Sequence, residues 1–276
     1  MPASNNTHLT SPNIAAIVLA AGKGTRMKSQ IPKVLHKVAG RPMIESVLSA
    51  LKSAGVGSVC IVLGGDLKHF EEFINTNPEL SICQQHERRG TGDAVASAAR
   101  CFTQVIKPRY ANSTLLRGGN LKEPYVLICA GDTPAIKGKH IADFITYSTE
   151  HQADISVLGM NVPYPAGYGR LVLKNDKTTL VKIVEEKDAS SSEREITVCN
   201  SGIILAKTDV LFKCLDELTP LNAQNEYYLT DIIEVSKKHH FSTIAFVTNE
   251  WNYFAGVNSP EQKHEVEKFM LAETNQ

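Results

Sequence analysis

The sequence lacks a net charge, because 29 basic and 29 acidic side chains balance over its 276 residues. No overall electrostatic field therefore favours a nucleic acid or an anionic membrane, and any anion binding depends on local patches of charge. Long apolar runs are also missing. No stretch approaches the length of a membrane span, and segment 1–13 is polar, without the apolar core of a signal peptide. We therefore predict a cytoplasmic protein with neither a nucleic-acid nor a membrane partner.

Closely spaced cysteines are absent as well. The six cysteines are scattered, without the CxxC pairs or His-rich spacing of a zinc site, and four of them lie in apolar, strand-like runs. They are Cys60, Cys83, Cys101, Cys129, Cys199 and Cys214. We predict that they are reduced thiols in the core rather than metal ligands or disulfides.

Two familiar phosphate-binding patterns are missing from the glycine-rich loop 19–27. The Walker pattern needs Lys-Ser/Thr after its last glycine, whereas Gly24 is followed by Thr25-Arg26. The dinucleotide-binding pattern needs a third glycine where Met27 stands. Both a P-loop hydrolase and a standard NAD dehydrogenase are therefore disfavoured.

What this loop does contain favours a phosphorylated ligand. Gly22 and Gly24 can adopt positive φ and expose backbone N–H groups to anionic oxygens. Arg26 has a planar fork that can bind two phosphate oxygens, whereas Lys23 and Lys33 are mobile point charges. A triphosphate fits this arrangement of charge. On the loop alone, an ordinary turn remains the alternative.

The first half of the chain alternates short apolar segments with segments of helical spacing, which predicts an α/β fold. We expect a Rossmann-like, three-layer arrangement, with a mixed, mostly parallel sheet and helices on both faces. The predicted strands are Ile14–Leu19, Ser58–Leu63, Leu80–Gln84, Tyr125–Cys129 and Asp154–Met160. The predicted helices are Met43–Ala54, Leu67–Asn75, Asp93–Phe102 and Lys139–His151. The loops after Leu19 and at Gly131-Asp132 should then open into one crevice.

The second half begins with a predicted β-hairpin that could cover this crevice. Its strands are Gly169–Lys174 and Thr179–Val184, joined at Asn175-Asp176-Lys177. Further predicted elements are a strand at Val198–Ala206, helices at Asp209–Leu218 (with Thr208 or Asp209 as N-cap) and Thr230–Lys238, a strand at Phe241–Thr248 and a helix at Pro260–Glu273.

No internal repeat is present, and we predict a tail (1–13), one domain (14–258) and a C-terminal helical segment (259–276). The stretch Ala111–Lys122 is polar and contains glycine without a period. We interpret it as a surface excursion that carries no chemistry.

A series of ordered motifs carries a family resemblance from about Ile14 to about Asn258. The motifs are Leu19-Ala-Ala-Gly-Lys-Gly-Thr-Arg-Met27 with Pro32-Lys33-Val-Leu-His36; Gln85 before Gly90-Thr91-Gly92; Gly131-Asp132-Thr-Pro134; Gly167-Tyr-Gly-Arg170; Ile183-Val-Glu185 with Lys187-Asp188-Ala189; Asn200-Ser-Gly202; Asn225 to Ile233; and Gly256-Val-Asn258. In order and spacing they resemble the uridylyltransferase (pyrophosphorylase) domain of the bifunctional bacterial enzyme that makes UDP-N-acetylglucosamine. That domain has the nucleotide-diphospho-sugar transferase fold, here with a hairpin as a small sugar-binding lobe.

The resemblance implies a nucleotide site. Residues implied to line the nucleotide are Leu19, Ala20, Ala21, Gly22, Lys23 and Gly131. Arg26 and Lys33 are implied to hold the triphosphate and its transition state as catalytic groups. Gln85 resembles the amide that reads uracil, because an amide both donates and accepts along its edge, and Gly90 and Thr91 complete the pocket.

Asp132 and Asn258 resemble the family's Mg²⁺ ligands, and oxygen ligands suit this hard cation. Considered alone, Asp132 is a good turn former and Asn258 a credible N-cap for the last helix. The family pattern also places Gly169, Glu185 and Asn200 around an N-acetylhexosamine. The alternative for Glu185 is a solvated cluster of charges.

Three features depart from the family pattern. Ala130 stands where the family usually has tyrosine, which removes an aromatic wall near the sugar or uridine and could relax specificity. The usual Asn-Thr-Gly is Asn-Ser-Gly at Asn200, a mild change that keeps the hydroxyl. The hexapeptide repeats of a β-helical acetyltransferase are absent from the sequence, so acetyl transfer is not implied.

The implied substrates are UTP and a sugar 1-phosphate, with N-acetylglucosamine 1-phosphate the first choice. Two alternatives stay open: transfer to another sugar or alditol phosphate or from another nucleotide, and a non-catalytic nucleotide-sugar sensor. Gln85 and Thr91 favour uridine. A sensor has no need of the leaving-group cations Arg26 and Lys33. Homo-oligomer formation is also left open.

Overall fold

The computed structural model describes residues 13–102 and 112–274. In these ranges the strands are β1 (Ile14–Ala20), β2 (Lys37–Val38), β3 (Arg41–Pro42), β4 (Ser58–Gly64), β5 (Ser81–Gln85), β6 (Ser113–Arg117), β7 (Tyr125–Ala130), β8 (Ile155–Asn161), β9 (Arg170–Leu173), β10 (Leu180–Val184), β11 (Val198–Lys207) and β12 (Thr243–Thr248). The α-helices are α1 (Met43–Ser53), α2 (Glu71–Thr76), α3 (Thr91–Ser97), α4 (Gly138–Glu150), α5 (Ser191–Arg194), α6 (Thr208–Asp216), α7 (Ile232–Lys238) and α8 (Pro260–Thr274). Short 3₁₀ turns join several of these elements.

One large mixed sheet organises the described part of the chain. Its strands run in the order β10-β9-β11-β7-β1-β4-β5-β6, while β8 pairs with β11 and β12. The pairs β7-β1, β1-β4 and β4-β5 are parallel, so their carboxyl ends share one edge. The edge strand β6 is antiparallel to β5, and β11 is antiparallel to β7. The predicted mixed, mostly parallel α/β fold is confirmed.

Both faces of the sheet are covered, which explains why β1 is an unbroken apolar run. Ala15 and Ile17 point into a core cluster with α3, α6 and α7, whereas Ala16 and Val18 point into a second cluster with α1 and α4. A strand that is buried on both faces has no polar alternation. The apolar runs therefore predicted the positions of the central strands well.

The prediction for Ala111–Lys122 is wrong in its described part. Residues Ser113–Arg117 form β6, which pairs with β5 at the sheet edge, while Ala111 lies outside the described residues. The guanidinium of Arg117 donates hydrogen bonds to the main-chain oxygens of Leu80 (3.0 Å) and Ile74 (2.9 Å). An edge strand has one solvated side, so its polar residues resembled those of a loop.

Several predicted helices are shorter and begin or end as 3₁₀ turns. The predicted helix Asp93–Phe102 is α3 followed by a 3₁₀ turn at Ala98–Cys101. The predicted N-cap of α6 is also wrong, because the structure places the N-cap at Lys207. The Thr208 hydroxyl instead donates to the carbonyl oxygen of Glu123 at 2.6 Å.

The predicted hairpin is confirmed as β9 and β10, and it joins the large sheet through the pairing of Arg170 with Cys199 in β11. Its turn is fixed by Asp176, whose carboxylate accepts hydrogen bonds from the backbone N–H groups of Thr178 (2.9 Å) and Thr179 (2.7 Å). The hydrogen bond that the Thr179 hydroxyl donates to Asp176 Oδ2 at 2.6 Å, followed by these backbone hydrogen bonds, holds the pKa of the Asp176 carboxyl well below its usual range. The hairpin is therefore a rigid extension of the sheet edge.

All six cysteines are buried, as predicted, and all are free thiols. The fold nevertheless brings three of them together across the core: Cys101 Sγ lies 2.8 Å from Cys60 Sγ and 3.3 Å from Cys83 Sγ. Their spacing along the chain gives no sign of this. Their exclusion as metal ligands stays a prediction, because the Sγ atoms of Cys60, Cys83 and Cys101 lie within 4.8 Å of one another, a spacing at which they could hold a metal ion. None of the described helices has the length and apolar character needed to cross a membrane.

Candidate active site

A cavity of about 430 Å³ opens at the carboxyl ends of the parallel strands. Its lining comes from the ends of β1, β5 and β7, from the segments that follow them and from one residue after α6. The lining residues are Leu19, Ala20, Ala21, Gly22, Lys23, Lys33, Val34, Gln85, Arg88, Gly90, Thr91, Ala94, Ala130, Asp132 and Glu226. The fold thus gathers most of the residues that the sequence assigned to the nucleotide. Segments more than a hundred residues apart in the chain meet in one crevice.

The loop after β1 depends on a glycine at position 24. Gly24 has a φ of +60°, and a Cβ placed on it would lie 2.8 Å from the Cβ of Lys33. Its conformation and its lack of a side chain therefore bring Lys33 against the loop. Arg26 lies in a 3₁₀ turn at Thr25–Met27, exposed to solvent and outside the lining of the cavity.

Gly131 is buried beneath the cavity rather than in its lining. Its backbone N–H donates to the carbonyl oxygen of Leu19 at 2.9 Å, which ties the loop after β7 to the end of β1. A Cβ at this position would lie 3.2 Å from the Val34 side chain. Gly131 therefore positions Asp132 next to the glycine-rich loop.

Two oxygen atoms from distant segments converge on one cation. The ammonium group of Lys33 contacts the carboxylate of Asp132 and lies 3.0 Å from Oδ1 of Asn258. Asp132 is 8% exposed. Gly256 lies beside both ligands, since a Cβ on it would be 3.7 Å from Asp132 Oδ1 and 3.6 Å from Asn258 Nδ2. A carboxylate and an amide oxygen aimed at one positive charge form a donor set that fits Mg²⁺.

The structure contradicts one simpler interpretation of these two residues. The N-terminus of α8 is capped by Ser259, whose Oγ accepts from the backbone N–H of Gln262 at 3.3 Å. The side chain of Asn258 is therefore not the N-cap. Among the described residues, the only hydrogen-bond partner of the Asp132 carboxylate is Lys33. Both side chains are therefore turned toward the cavity side of the fold.

One end of the cavity is built from Gln85 and the turn that follows it. Gln85 ends β5 and is 2% exposed, and its Nε2 donates to Asp93 Oδ2 at 2.6 Å. Gly90 has a φ of +113°, and a Cβ on it would lie 2.5 Å from the carbonyl oxygen of Tyr227. Thr91 Oγ1 accepts from the backbone N–H of Leu229 at 3.0 Å. The turn is therefore closely packed against a second segment.

The three residues implied to bind sugar also lie together, at the base of the hairpin. The carbonyl oxygen of Gly169 accepts from the Asn200 N–H at 2.8 Å, and a Cβ on Gly169 would lie 3.4 Å from Glu185 Oε2. Glu185 Oε1 accepts from the Thr230 hydroxyl at 3.0 Å. Burial raises the pKa of the Glu185 carboxyl. Its environment is therefore not that of a solvated surface charge.

Arg88 was missed by the sequence reasoning. It borders both the large cavity and a smaller one of about 120 Å³ that also contains Lys23. Its Nε is buried without a hydrogen-bond partner among the described residues, and burial lowers its pKa. Gly65 makes room for it, since a Cβ there would lie 2.6 Å from Nη2 of Arg88. The only signal in the sequence is a pair of arginines before Gly90.

The chain has close relatives among known proteins. It is 36% identical over 264 residues to the bifunctional protein GlmU of Lactococcus lactis subsp. cremoris (strain MG1363), a match that covers 95% of this chain and 53% of that protein. It is likewise 36% identical over 264 residues to the bifunctional protein GlmU of Clostridioides difficile (strain 630), with 96% and 53% covered. The chain spans about half the length of the curated relatives it matches.

Solved structures share the fold at lower sequence identity. A UDP-glucose pyrophosphorylase complexed with UDP-glucose superposes with a TM-score of 0.72 at 17% identity, covering 95% of this chain and 99% of that one. A putative glucose-1-phosphate thymidylyltransferase from Bacillus anthracis gives 0.70 at 18%, covering 93% and 95%. The family model of the MobA-like NTP transferase domain matches residues 16–186, which include most of β1, the glycine-rich loop and Asp132. The chain belongs to the family of MobA-like NTP transferase domains.

Proposed function

We propose that this protein transfers the uridylyl group of UTP to a sugar 1-phosphate, with N-acetylglucosamine 1-phosphate as the substrate. The observation that carries the proposal is the convergence of Lys33, Gln85 and Asp132 on one cavity. A positive charge for phosphates, an amide for a base and a carboxylate for a metal ion are the groups that a nucleotidyl transfer needs. The similarity of this chain to about half the length of the GlmU proteins supports the choice of substrates.

In the proposed reaction, an oxygen of the sugar phosphate attacks the α-phosphorus of UTP. A new P–O bond forms, the bond between the α-phosphorus and its bridging oxygen to the β-phosphate breaks, and pyrophosphate leaves with the electron pair. The attacking oxygen is already an anion, so no general base is required. The protein's task is to align the two phosphates and to offset their repulsion.

Cationic side chains serve the triphosphate in this proposal. Lys33 and Lys23 border the cavity and supply positive charge to the phosphate oxygens and to the leaving group. Arg26 sits on the exposed turn next to them, where a long side chain can reach phosphate at the cavity mouth. Backbone N–H groups of the loop around Gly22 complete a nest for anionic oxygens.

Asp132 and Asn258 would hold the divalent cation, which we propose to be Mg²⁺. When bound, this cation supplies Lewis-acid stabilisation of the charge on the transferring phosphate. Asp132 is held close to the loop after β1 through the hydrogen bond from Gly131 to Leu19. The Asp132 carboxylate, as the proposed metal ligand, is therefore held in a defined position relative to the phosphate-binding loop.

The sugar is proposed to lie between the base of the hairpin and the cavity. Glu185 and the backbone around Gly169 offer acceptors for sugar hydroxyls, and Asn200 can donate to an acetamido oxygen. Ala130 borders the cavity where relatives usually carry tyrosine. This smaller side chain is the reason to compare several sugars.

The test is a pyrophosphate-release assay with UTP and three acceptors: N-acetylglucosamine 1-phosphate, glucose 1-phosphate and glucosamine 1-phosphate. We expect release that depends on Mg²⁺ and is fastest with the first acceptor. Equal or faster release of pyrophosphate with another sugar 1-phosphate would contradict the choice of N-acetylglucosamine 1-phosphate and favour that other substrate. Tight binding of UTP without pyrophosphate release from any pair would instead establish a nucleotide sensor.

A further inference from the structure

The uracil-reading candidate Gln85 has a partner that fixes which way its amide faces. Gln85 Nε2 lies 2.6 Å from Oδ2 of Asp93, in the first turn of α3. Both side chains are enclosed: Gln85 is 2% exposed and Asp93 is 0% exposed. An ionised carboxylate has acceptor oxygens only, so the group facing it must be the amide NH₂. The carbonyl oxygen of Gln85 is thereby left for another partner.

Oε1 of Gln85 is available for a ligand. No hydrogen bond between the residues that the structure describes uses this atom, and Gln85 borders the cavity. The atom is not among the buried polar atoms that lack a partner, so it is open to the cavity and can accept from a ligand that brings an N–H. At the rim of a base pocket, the N3–H of uracil is such a donor, whereas N3 of cytosine is an acceptor.

A neighbouring arginine supports the charge of Asp93. Arg89 Nη2 donates to Asp93 Oδ1 at 3.1 Å, so one oxygen accepts from Arg89 and the other from Gln85. The guanidinium also lies over the Tyr227 ring, 5.6 Å from its centroid, and the Arg89 carbonyl accepts from the Tyr227 N–H at 2.7 Å. The backbone on both sides of the ion pair is therefore fixed. Reorienting the Gln85 amide would place its oxygen against a carboxylate oxygen.

We propose that Asp93 is a positioning residue that makes Gln85 a hydrogen-bond acceptor and thereby selects bases with an N3–H, uracil and thymine, over cytosine. The inference rests on the proposed function, since it assumes that Gln85 faces the base. It adds a residue that contacts neither the phosphates nor the metal ligands. Asp93 acts only through the orientation of Gln85.

The first test uses the unmodified protein. Binding and turnover are compared for UTP, 5-methyl-UTP, CTP and N3-methyl-UTP. The first two carry the N3–H and should be used comparably, whereas CTP and N3-methyl-UTP should each fall about 10- to 100-fold in kcat/KM and in affinity. Equal use of UTP and N3-methyl-UTP would overturn the proposed orientation.

The second test is the variant Asp93→Asn, whose amide can present either its oxygen or its NH₂ to Gln85. We expect the preference for UTP over CTP to fall about tenfold, since both orientations of Gln85 become possible. If Asp93 had a purely structural role, the variant would lower kcat/KM for UTP and for CTP equally and leave the ratio of the two unchanged. Glu79→Gln is the control, because it removes one exposed negative charge that lies outside the contacts of Gln85, Arg89 and Asp93.

These results are separable from the proposed function. Transfer from UTP and CTP at equal rates would reject the inference while retaining nucleotidyl transfer. A protein that releases no pyrophosphate would reject the proposed reaction, and equilibrium binding of the four nucleotides would still report the orientation of Gln85. If Asp93→Asn does not fold, the comparison with N3-methyl-UTP decides alone.

Discussion

The ammonium group of Lys33 is held by the carboxylate of Asp132, a residue 99 positions later in the chain. Asn258 Oδ1 contacts the same ammonium at 3.0 Å. The oxygens of both proposed metal ligands thus already face a cation that belongs to the protein, and this cation neutralises the Asp132 carboxylate. A divalent cation must therefore compete with Lys33 for the same oxygens.

Replacing Lys33 with methionine should strengthen binding of Mn²⁺ to the nucleotide-free protein by about tenfold, because the competing charge is removed. Pyrophosphate release should fall in the same variant. Binding is measured from the electron paramagnetic resonance signal of free Mn²⁺. Lys37→Met, which changes an exposed lysine in β2, should leave both quantities unchanged. Unaltered Mn²⁺ affinity in Lys33→Met would show that Lys33 does not compete for the metal site.

The variant Asp132→Asn should reduce kcat by about 100-fold or more, because it removes the charged ligand of the cation proposed to stabilise the transferring phosphate. It should also abolish specific Mn²⁺ binding. The side chain keeps its size, and its remaining oxygen can still accept a hydrogen bond from Lys33, so thermal unfolding should change little. A folded variant with near-normal turnover would refute the metal assignment.

The variant Arg88→Met should raise the KM for UTP about tenfold, since a charged fork beside the triphosphate is lost. The change should act more on KM than on kcat, because Arg88 is not one of the proposed metal ligands. Steady-state kinetics with varied UTP measures the split. Arg41→Met, which removes an exposed arginine that is paired with Glu45, is the control. A normal KM in Arg88→Met would place the triphosphate elsewhere.

The variant Glu185→Gln should raise the KM for the sugar 1-phosphate about tenfold while leaving the KM for UTP near its original value. The buried carboxylate loses charge but keeps its contact with Thr230. Kinetics with each substrate varied in turn separates the two effects. The same substitution at the exposed Glu195 should have no effect. An equal rise in both KM values would argue against a role specific to the sugar.

Asp231 provides a test of stability against pH. Burial, followed by the negative charges of Glu234, Glu185 and Asp188, raises its pKa from 3.8 to about 6. The folded state thus holds this proton more tightly, so the contribution of the neutral carboxyl to stability is full below pH 3.8 and is lost as the pH rises through about 6.

Asp231→Asn should therefore increase the free energy of unfolding at pH 7.5 by about 1 kcal/mol, a value reduced for partial exposure to solvent. The difference from the unmodified protein should shrink toward pH 4. Urea denaturation at several pH values measures it. The exposed carboxyl of Glu79 offers a control, since Glu79→Gln should give no such pH dependence. A constant difference across this range would contradict the raised pKa.

Much of the fold could be predicted from the sequence, because its central strands are buried on both faces. β1 and β4 are continuous apolar runs that no surface element resembles. The glycine-rich loop and the Gly131-Asp132 turn follow such strands directly, so parallel pairing was enough to bring them together. The edge strand β6 was missed because one of its sides is solvated, and its pattern resembled that of a loop.

The candidate site could be predicted less well from the sequence where a residue's role depends on its neighbours in three dimensions. Arg88 reaches the cavity only because Gly64 and Gly65 in a neighbouring segment leave room for its guanidinium. Asp93 acts on Gln85 across the start of a helix, a relation that a spacing of eight residues does not reveal. Such roles depend on side-chain orientation, which periodicity does not encode.

The contact between Lys33 and Asn258 joins positions 225 residues apart. Closing a loop of this length costs entropy that the contact alone does not offset, so the proposed metal site is complete only when the sheet between the two positions has assembled. A chain interrupted before Asn258 could contain an intact glycine-rich loop and still lack a complete pair of metal ligands. Metal affinity is therefore a measure of how far the domain has folded, from its first strand to its last helix.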